Sequence, residues 1–406
     1  MHNSKSFCSA PWMHLHVIND GRAYPCCMTP LEDKYQLGNV KEQSLFEIMN
    51  SDRAKKMRVD MQNGILPESC MRCKSKEDAG MPSMRTGMVD RWLPEIQDLV
   101  DDTEFDGTIN ELRLKYWDFR FSNYCNLSCR TCSPIFSTSW AADYKAINGV
   151  DMGPALIDLK EAPVFWEDIE KHIDSVQEIH FAGGEPVLME EHWRLLDILL
   201  EKGLTNVKLK YSTNATVLTY KKRNILDVWK QFKYVHLSLS IDGVGDTFEV
   251  VRNRGKWKQT EDNLIAISKS GVDYWVHPTV SILNIYRIPE LHDRLLEIGV
   301  LNPARQNYWV TQFHINPLFI PHYYSITSLP AHHKQVVKEI LEEYGKEMAI
   351  KHNIPFSGWQ SIIDFMYSSD TSHQWKHFLK STKVLDELRG QDLFRINPEF
   401  ANETNI

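Results

Sequence analysis

The chain has 406 residues, is 42% apolar and carries a formal net charge of −8, which allows a large core and argues against a general nucleic-acid binder. No apolar run approaches membrane-spanning length, and the start Met1-His2-Asn3-Ser4-Lys5 is not a signal peptide, so the reading is a soluble cytoplasmic protein. All eight cysteines precede residue 133, a clustering that favours metal ligation in a reducing compartment over a disulfide framework.

In chain order, "WMHLHVINDGRAYPCC" predicts two short strands around the turn Asn19-Asp20-Gly21. Their return would bring Cys26 back towards Cys8. Ser44–Met61 predicts a helix with Leu45, Ile48 and Met49 on one face, and "PESCMRC" places Cys70 and Cys73 on a tight C-x2-C loop. Four thiolates would saturate either a [4Fe–4S] cluster or a zinc ion. Cys27 has no assigned partner and reads as a packed thiol. Residues 81–110 read as a linker, with a helix over Met81–Val100 and an acidic, glycine-containing turn after it.

From Glu111 onward, strand-like and helical runs alternate. The strands are "ELRLKYWDFRFS", "SVQEIHFAG", "NVKLKYSTN", "YVHLSLSID", "DYWVHPTVSI" and "YWVTQFHIN". Strands separated by helices imply parallel pairing through right-handed crossovers. The predicted class is α/β: a partial (β/α)6 TIM-like barrel over 111–320, a small cysteine-rich domain over 1–80 before it, and a helical C-terminal extension over 321–406. In that extension Val336, Val337, Ile340, Leu341, Tyr344 and Met348 form one apolar face, and two further amphipathic helices follow.

In such barrels functional groups gather at the C-terminal ends of the strands. After the first strand come Cys125, Cys129 and Cys132, spaced C-x3-C-x2-C. Three thiolates from one tight loop can hold three corners of a [4Fe–4S] cluster and leave the fourth iron open to a small molecule. They could also be part of a zinc site. Gly183-Gly184-Glu185-Pro186 closes the second strand, where glycines admit close backbone approach and a carboxylate accepts from an ammonium group. Ser212-Thr213-Asn214 ends the third strand. Ser240 and Asp242 follow the fourth, with Arg252 or Arg254 able to clamp a carboxylate. Asn284, Gln312, His314 and Asn316 are weaker candidates.

The segment "RFSNYCNLSCRTC" resembles the signature loop of the radical S-adenosylmethionine (radical SAM) enzymes. By position, Gly183, Gly184 and Glu185 resemble the family's segment for the SAM amino group. Ser212 and Asn214 resemble its ribose-contacting segment, and Ser240 and Arg252 a further SAM contact. The pattern Cys8-x12-Gly21-x4-Cys26 with Cys70-x2-Cys73, together with "CSAPW", "LGNV" and "SLFEIM", is similar to the twitch or SPASM auxiliary-cluster domain, which usually follows the barrel and here precedes it.

The resemblance implies a SAM-binding [4Fe–4S] cluster at Cys125, Cys129 and Cys132 and an auxiliary [4Fe–4S] cluster at Cys8, Cys26, Cys70 and Cys73. It further implies a reductant such as flavodoxin or ferredoxin, and an oxidoreductase or maturase that abstracts hydrogen through a 5′-deoxyadenosyl radical. The expected substrate is a peptide or protein side chain, with a sugar or nucleotide as the alternative. A reading of another class is a zinc scaffold or nucleic-acid adaptor without enzymatic activity.

Overall fold

A computed structural model describes residues 5–78, 83–151 and 153–403. The chain divides into two compact units. The first comprises Met1–Tyr124, Leu156–Tyr211 and Gln231–Val235; the second comprises Cys125–Ala155, Ser212–Lys230 and His236–Ile406.

In the first unit, β1 (His14–Val17) and β2 (Arg22–Tyr24) form the predicted hairpin, and β3 (Gly38–Asn39) pairs with β2. Gly21 takes φ +94° in the turn, where the Asp20 carboxylate accepts from the backbone N–H of Arg22 at 3.0 Å. β4 (Tyr116–Phe119) lies parallel to β1, with Asp118 opposite His16. β5 (Glu178–Phe181) and β6 (Lys208–Thr213) continue the parallel ladder, bringing His180 opposite Asp118. The cysteine-rich hairpin and the first barrel strands therefore share one sheet. Side chains alternate across it. Trp117, Phe119 and Phe121 are buried on one face, where Phe119 and Phe121 meet Phe165 and Trp166 of helix Pro163–His172.

One predicted element is broken. Ser44–Met61 is not a single helix but two, Leu45–Met49 and Asp52–Gln62. The Asn50 side chain bonds both the N–H and the C=O of Ile109, at 2.9 and 3.0 Å, and Asn50 leaves helical geometry; Ser51 then caps the second helix. The linker helix is observed as Met84–Asp101; Met81 lies outside the described residues.

β6 and β9 (Tyr234–Leu239) begin in the first unit and end in the second, after a small hairpin of β7 (Thr219–Tyr220) and β8 (Arg223–Asn224). Within the second unit β10 (Asp273–Val276) is parallel to β9, and β11 (Thr279–Val280) is parallel to β12 (Asn316–Pro317). The sixth predicted strand is corrected in its first half, where Tyr308–Thr311 is a helical turn; in its second half Phe313 bridges Val276 of β10 in parallel and Asn316 opens β12. The aromatic, β-favouring run is overridden by anchoring: the Tyr308 hydroxyl bonds His292 Nε2 at 2.9 Å and Trp309 packs edge-on against Trp359.

The C-terminal helices are Ala331–His352, Ser357–Tyr367 and Trp375–Arg389. Val337, Leu341, Tyr344 and Met348 are buried as expected, whereas Val336, about 100° round the helix from Val337, is 43% exposed. The class is α/β with a mainly parallel central sheet, consistent with a partial TIM-like barrel. Among the described residues no helix is long and apolar enough to cross a membrane.

Candidate metal and cofactor site

Five cysteines lie in the first unit. The hairpin supplies Cys26, and the turn Glu68–Cys70 running into helix Met71–Asp78 supplies Cys70 and Cys73. The charge neighbours of Cys8 are Cys26, Cys70 and Cys73, so the four predicted sulfurs form one group. Burial pushes the Cys8 thiol well above its ordinary value, raises Cys26, and lifts Cys70 to about 12. Such thiols are protonated when alone, and a bound metal displaces their protons. Cys27, next to Cys26, is not among the charge neighbours of Cys8. Its Sγ lies 3.6 Å from Met84 Sδ, and its first charge neighbour is Asp118.

The turn Gly183-Gly184-Glu185 closes β5 in this unit. Gly183 has φ +115°, and a Cβ on Gly184 would lie 2.2 Å from the Tyr124 carbonyl oxygen. That proximity lets the Gly184 N–H donate to Ser122 O at 3.1 Å and the Glu185 N–H to Tyr124 O at 2.8 Å. Glu185 is buried. The turn is thus laid against the backbone that leads into the cysteine loop.

Sequence reasoning missed a charged cluster on the face of the same sheet opposite Trp117 and Phe119. Asp118 is fully buried, and accepts from His16 Nδ1 and Arg120 Nε, each at 3.0 Å; His180 Nδ1 lies 3.5 Å away. Burial opposes its charge, but Arg120, His16 and His180 together hold its carboxyl well below the usual range. The signal was present in the alternation of Tyr116, Asp118 and Arg120 with Trp117, Phe119 and Phe121.

The second unit holds the three-thiol loop. Ser139 Oγ donates to Cys125 O at 2.8 Å, Trp140 Nε1 donates to Cys129 O at 2.7 Å, and the N–H groups of Ser128 and Arg130 bond Asn253 O and Val251 O. Arg130, between the last two cysteines and wholly buried, donates to Asp386 and, at 2.9 Å, to Gln391 of the C-terminal extension. The loop is clamped on three sides, so its sulfurs are presented from a fixed backbone.

Two predicted residues reach these sulfurs. Asn214 Nδ2 lies 4.0 Å from Cys125 Sγ and donates to Asn126 Oδ1 at 3.1 Å. Arg252 Nη1 lies 3.8 Å from Cys129 Sγ, and its Nη2 is 2.8 Å from Asp242. Burial pushes the Asp242 carboxyl up against the pull of Arg252. Burial also opposes the Arg252 charge, but Asp242 and the three cysteines outweigh it and keep the guanidinium a firm cation. Arg254 is directed to Ser139 instead, at 3.3 Å. Burial raises Cys129 in spite of Arg252, and lifts Cys132 to about 12.

Ser212 and Ser240 stand half-buried at strand ends, and the Ser240 N–H donates to Thr213 O. Asn284 and Gln312 are anchors of backbone: Asn284 bonds Asp242 O and Thr279 O, and Gln312 bonds Tyr274 O and the Asn302 N–H. His314 stacks on His277 at 4.9 Å, and Asn316 is exposed in β12.

The donor sets bear on which metal fits. A tetrahedral zinc with bonds of about 2.3 Å holds its sulfurs about 3.8 Å apart. Among the described residues no three of these sulfurs lie within 4.8 Å of one another. Thiols in threes and fours are the donor chemistry of an iron–sulfur cluster, so both sets suit one.

A partial barrel whose first strand runs into a three-thiol loop, preceded in the chain by a four-thiol domain, sets out two groups of thiols able to hold metal. Residues 119–295 match the model of the radical SAM superfamily, and residues 8–74 match that of an iron–sulfur cluster-binding domain, SPASM. The chain therefore carries a radical SAM domain, with a SPASM domain ahead of it in the sequence. No curated protein matches the sequence.

Similar solved structures include SuiB of Streptococcus suis bound to S-adenosylmethionine, at 14% identity and TM-score 0.35, over 82% of this chain and 67% of that one. Another is anSMEcpe with bound AdoMet and the Cp18Cys peptide, at 15% identity and TM-score 0.38, over 57% of this chain and 60% of that one. A third is TYW1 with a lysine-pyruvate adduct, at 16% identity and TM-score 0.24, over 45% and 59%.

Proposed function

We propose that the protein reductively cleaves S-adenosylmethionine and uses the product radical to abstract hydrogen from a peptide or protein side chain in a reducing cytoplasm. The observation that carries this reading is the three-thiol loop, with Asn214 within 4.0 Å and Arg252 within 3.8 Å of its sulfurs and no fourth cysteine in its unit. Cys125, Cys129 and Cys132 would hold a [4Fe–4S] cluster, which when bound supplies the electron that splits SAM into methionine and a 5′-deoxyadenosyl radical.

The chain's own residues do the rest. Arg252, fixed by Asp242, offers a cation beside the thiols for the SAM carboxylate. Gly183, Gly184 and Glu185 offer a backbone turn and a buried carboxylate for the ammonium group. Asn214, Ser212 and Ser240 offer short polar groups for the ribose and its surroundings. Cys8, Cys26, Cys70 and Cys73 would hold an auxiliary cluster through four thiolates. A four-thiol domain of this kind favours a peptide-modifying maturase over a sugar- or nucleotide-modifying enzyme.

The test is anaerobic reconstitution followed by strong reduction with SAM. 5′-Deoxyadenosine and methionine are expected from the wild type, and none from the Cys125→Ala/Cys129→Ala/Cys132→Ala variant. Iron loading without any 5′-deoxyadenosine overturns the proposal.

A further inference from the structure

Within the second unit, the turn Pro398–Glu403 comes back to the start of helix Ala331–His352. His332 and His333 lie in the first turn of that helix. His332 Nε2 is 3.0 Å, and His333 Nε2 3.8 Å, from the same carboxylate oxygen, Glu403 Oε1. Among the described residues these three form the one group of His, Cys, Asp or Glu whose donor atoms all lie within 4.8 Å of one another. An ion pair between His332 and Glu403 at the surface stabilises little and explains only part of this. It leaves His333, whose side chain is 5% exposed and whose Nε2 has no hydrogen-bond partner among the described residues. A buried polar atom aimed at a carboxylate without bonding it needs a partner between the two.

We propose that His332, His333 and Glu403 bind a zinc ion that pins the turn Pro398–Glu403 to the start of the long helix. Two imidazole nitrogens and one carboxylate oxygen suit zinc with a fourth position left to water. A tetrahedral ion with bonds of about 2.0–2.1 Å holds its donors about 3.3 Å apart, a value between the two distances to Glu403 Oε1. His333 is already oriented for ligation. Its Nδ1 lies 2.9 Å from the Tyr286 hydroxyl and can donate to it, which leaves the Nε2 lone pair for a metal. Tyr286, Trp375 and Phe400 pack around its ring and fix the plane. Trp375 Nε1 lies 3.4 Å from Glu403 Oε2, on the side away from the histidines' oxygen. The basic neighbours do not compete for Glu403: Arg287 is engaged with Glu399 at 2.7 and 2.8 Å, and Lys334 faces Asp370. His332, 62% exposed, gives the ion a way in from solvent. The site contains no cysteine and none of the residues assigned to SAM, so it stands apart from both thiol sets.

The test compares wild type, His332→Ala, Glu403→Gln and, as a control for surface imidazoles, the exposed His373→Ala, all iron-loaded and anaerobic. His332→Ala trims an exposed side chain and Glu403→Gln keeps its shape, so both should fold. Each protein is dialysed against buffered zinc, then examined by metal analysis and by X-ray absorption at the zinc edge. The wild type and His373→Ala should hold about one zinc per chain, with nitrogen and oxygen neighbours at about 2.0–2.1 Å and no sulfur at about 2.3 Å. His332→Ala and Glu403→Gln should bind zinc about tenfold or more weakly. Zinc should raise the melting temperature of the first two proteins and not of the second two.

Wild type that takes up no zinc, equal affinity in all four proteins, or zinc surrounded only by sulfur overturns the proposal. Displacement of the zinc by an equal concentration of iron(II) also overturns it, because the usual order of affinities places zinc above iron(II). These readouts decide the site whether or not the protein forms 5′-deoxyadenosine, so its failure and that of the proposed function are separable.

Discussion

The two cysteine groups use the same side chain for opposite ends. In the first unit, four thiols are drawn together from residues 8 to 73 by a hairpin and a helix entry, and their charge neighbours include one another. In the second, three thiols come from eight consecutive residues, and the groups beside them are Asn214, Arg252 and Asp242, which have other uses. Four sulfurs close a cubane; three leave a corner, and the neighbouring polar groups are what a ligand at that corner would meet. The number of thiols and the kind of neighbour separate a closed site from an open one.

The largest effect expected from breaking that contrast is removal of the open set. Cys125→Ala/Cys129→Ala/Cys132→Ala should abolish SAM cleavage and keep about half of the wild-type iron, roughly four of eight atoms per chain by iron assay. Next comes the clamp on the loop. Asp386→Ala leaves the buried Arg130 guanidinium without its carboxylate, which costs about 3–5 kcal/mol. A lower melting temperature is expected, with iron lost from the three-thiol set first.

Acid should act on both units. Burial lowers His14 to about 4 in the first and His292 to about 3 in the second. Both are neutral in the folded protein, while the unfolded chain takes protons near 6.5, so their contribution is complete above that pH and is lost as pH falls towards the folded values. The loss is ~3 kcal/mol for His14, seen as a urea midpoint that drops between pH 7 and 4.5. The smallest effect is expected at the glycine turn. A methyl on Gly184 meets the Tyr124 carbonyl, so Gly184→Ala should cost about 1–3 kcal/mol by thermal melting and weaken SAM binding.

What the sequence revealed was local. The Asn19-Asp20-Gly21 turn and the Gly-Gly-Glu turn each carry their geometry within a few residues, and each has its expected local form, whereas the C-x2-C loop expected for Cys70 and Cys73 is a turn running into a helix. What it hid was distant or competitive. The bond from Arg130 to Asp386 spans 256 residues, and no pattern near either residue announces it. Asn50 breaks a helix because Ile109, 59 residues on, claims its side chain. Tyr308–Thr311 carries β-branched and aromatic residues yet turns helical because His292 and Trp359 anchor its rings.

The contrast between open and closed sites is tested most directly by electron paramagnetic resonance of the reduced, iron-loaded protein with and without SAM. The wild-type spectrum should change when SAM is added, and the residual signal of the Cys125→Ala/Cys129→Ala/Cys132→Ala variant should not. A variant signal that still responds to SAM, or a wild type that holds zinc in place of iron, contradicts the account.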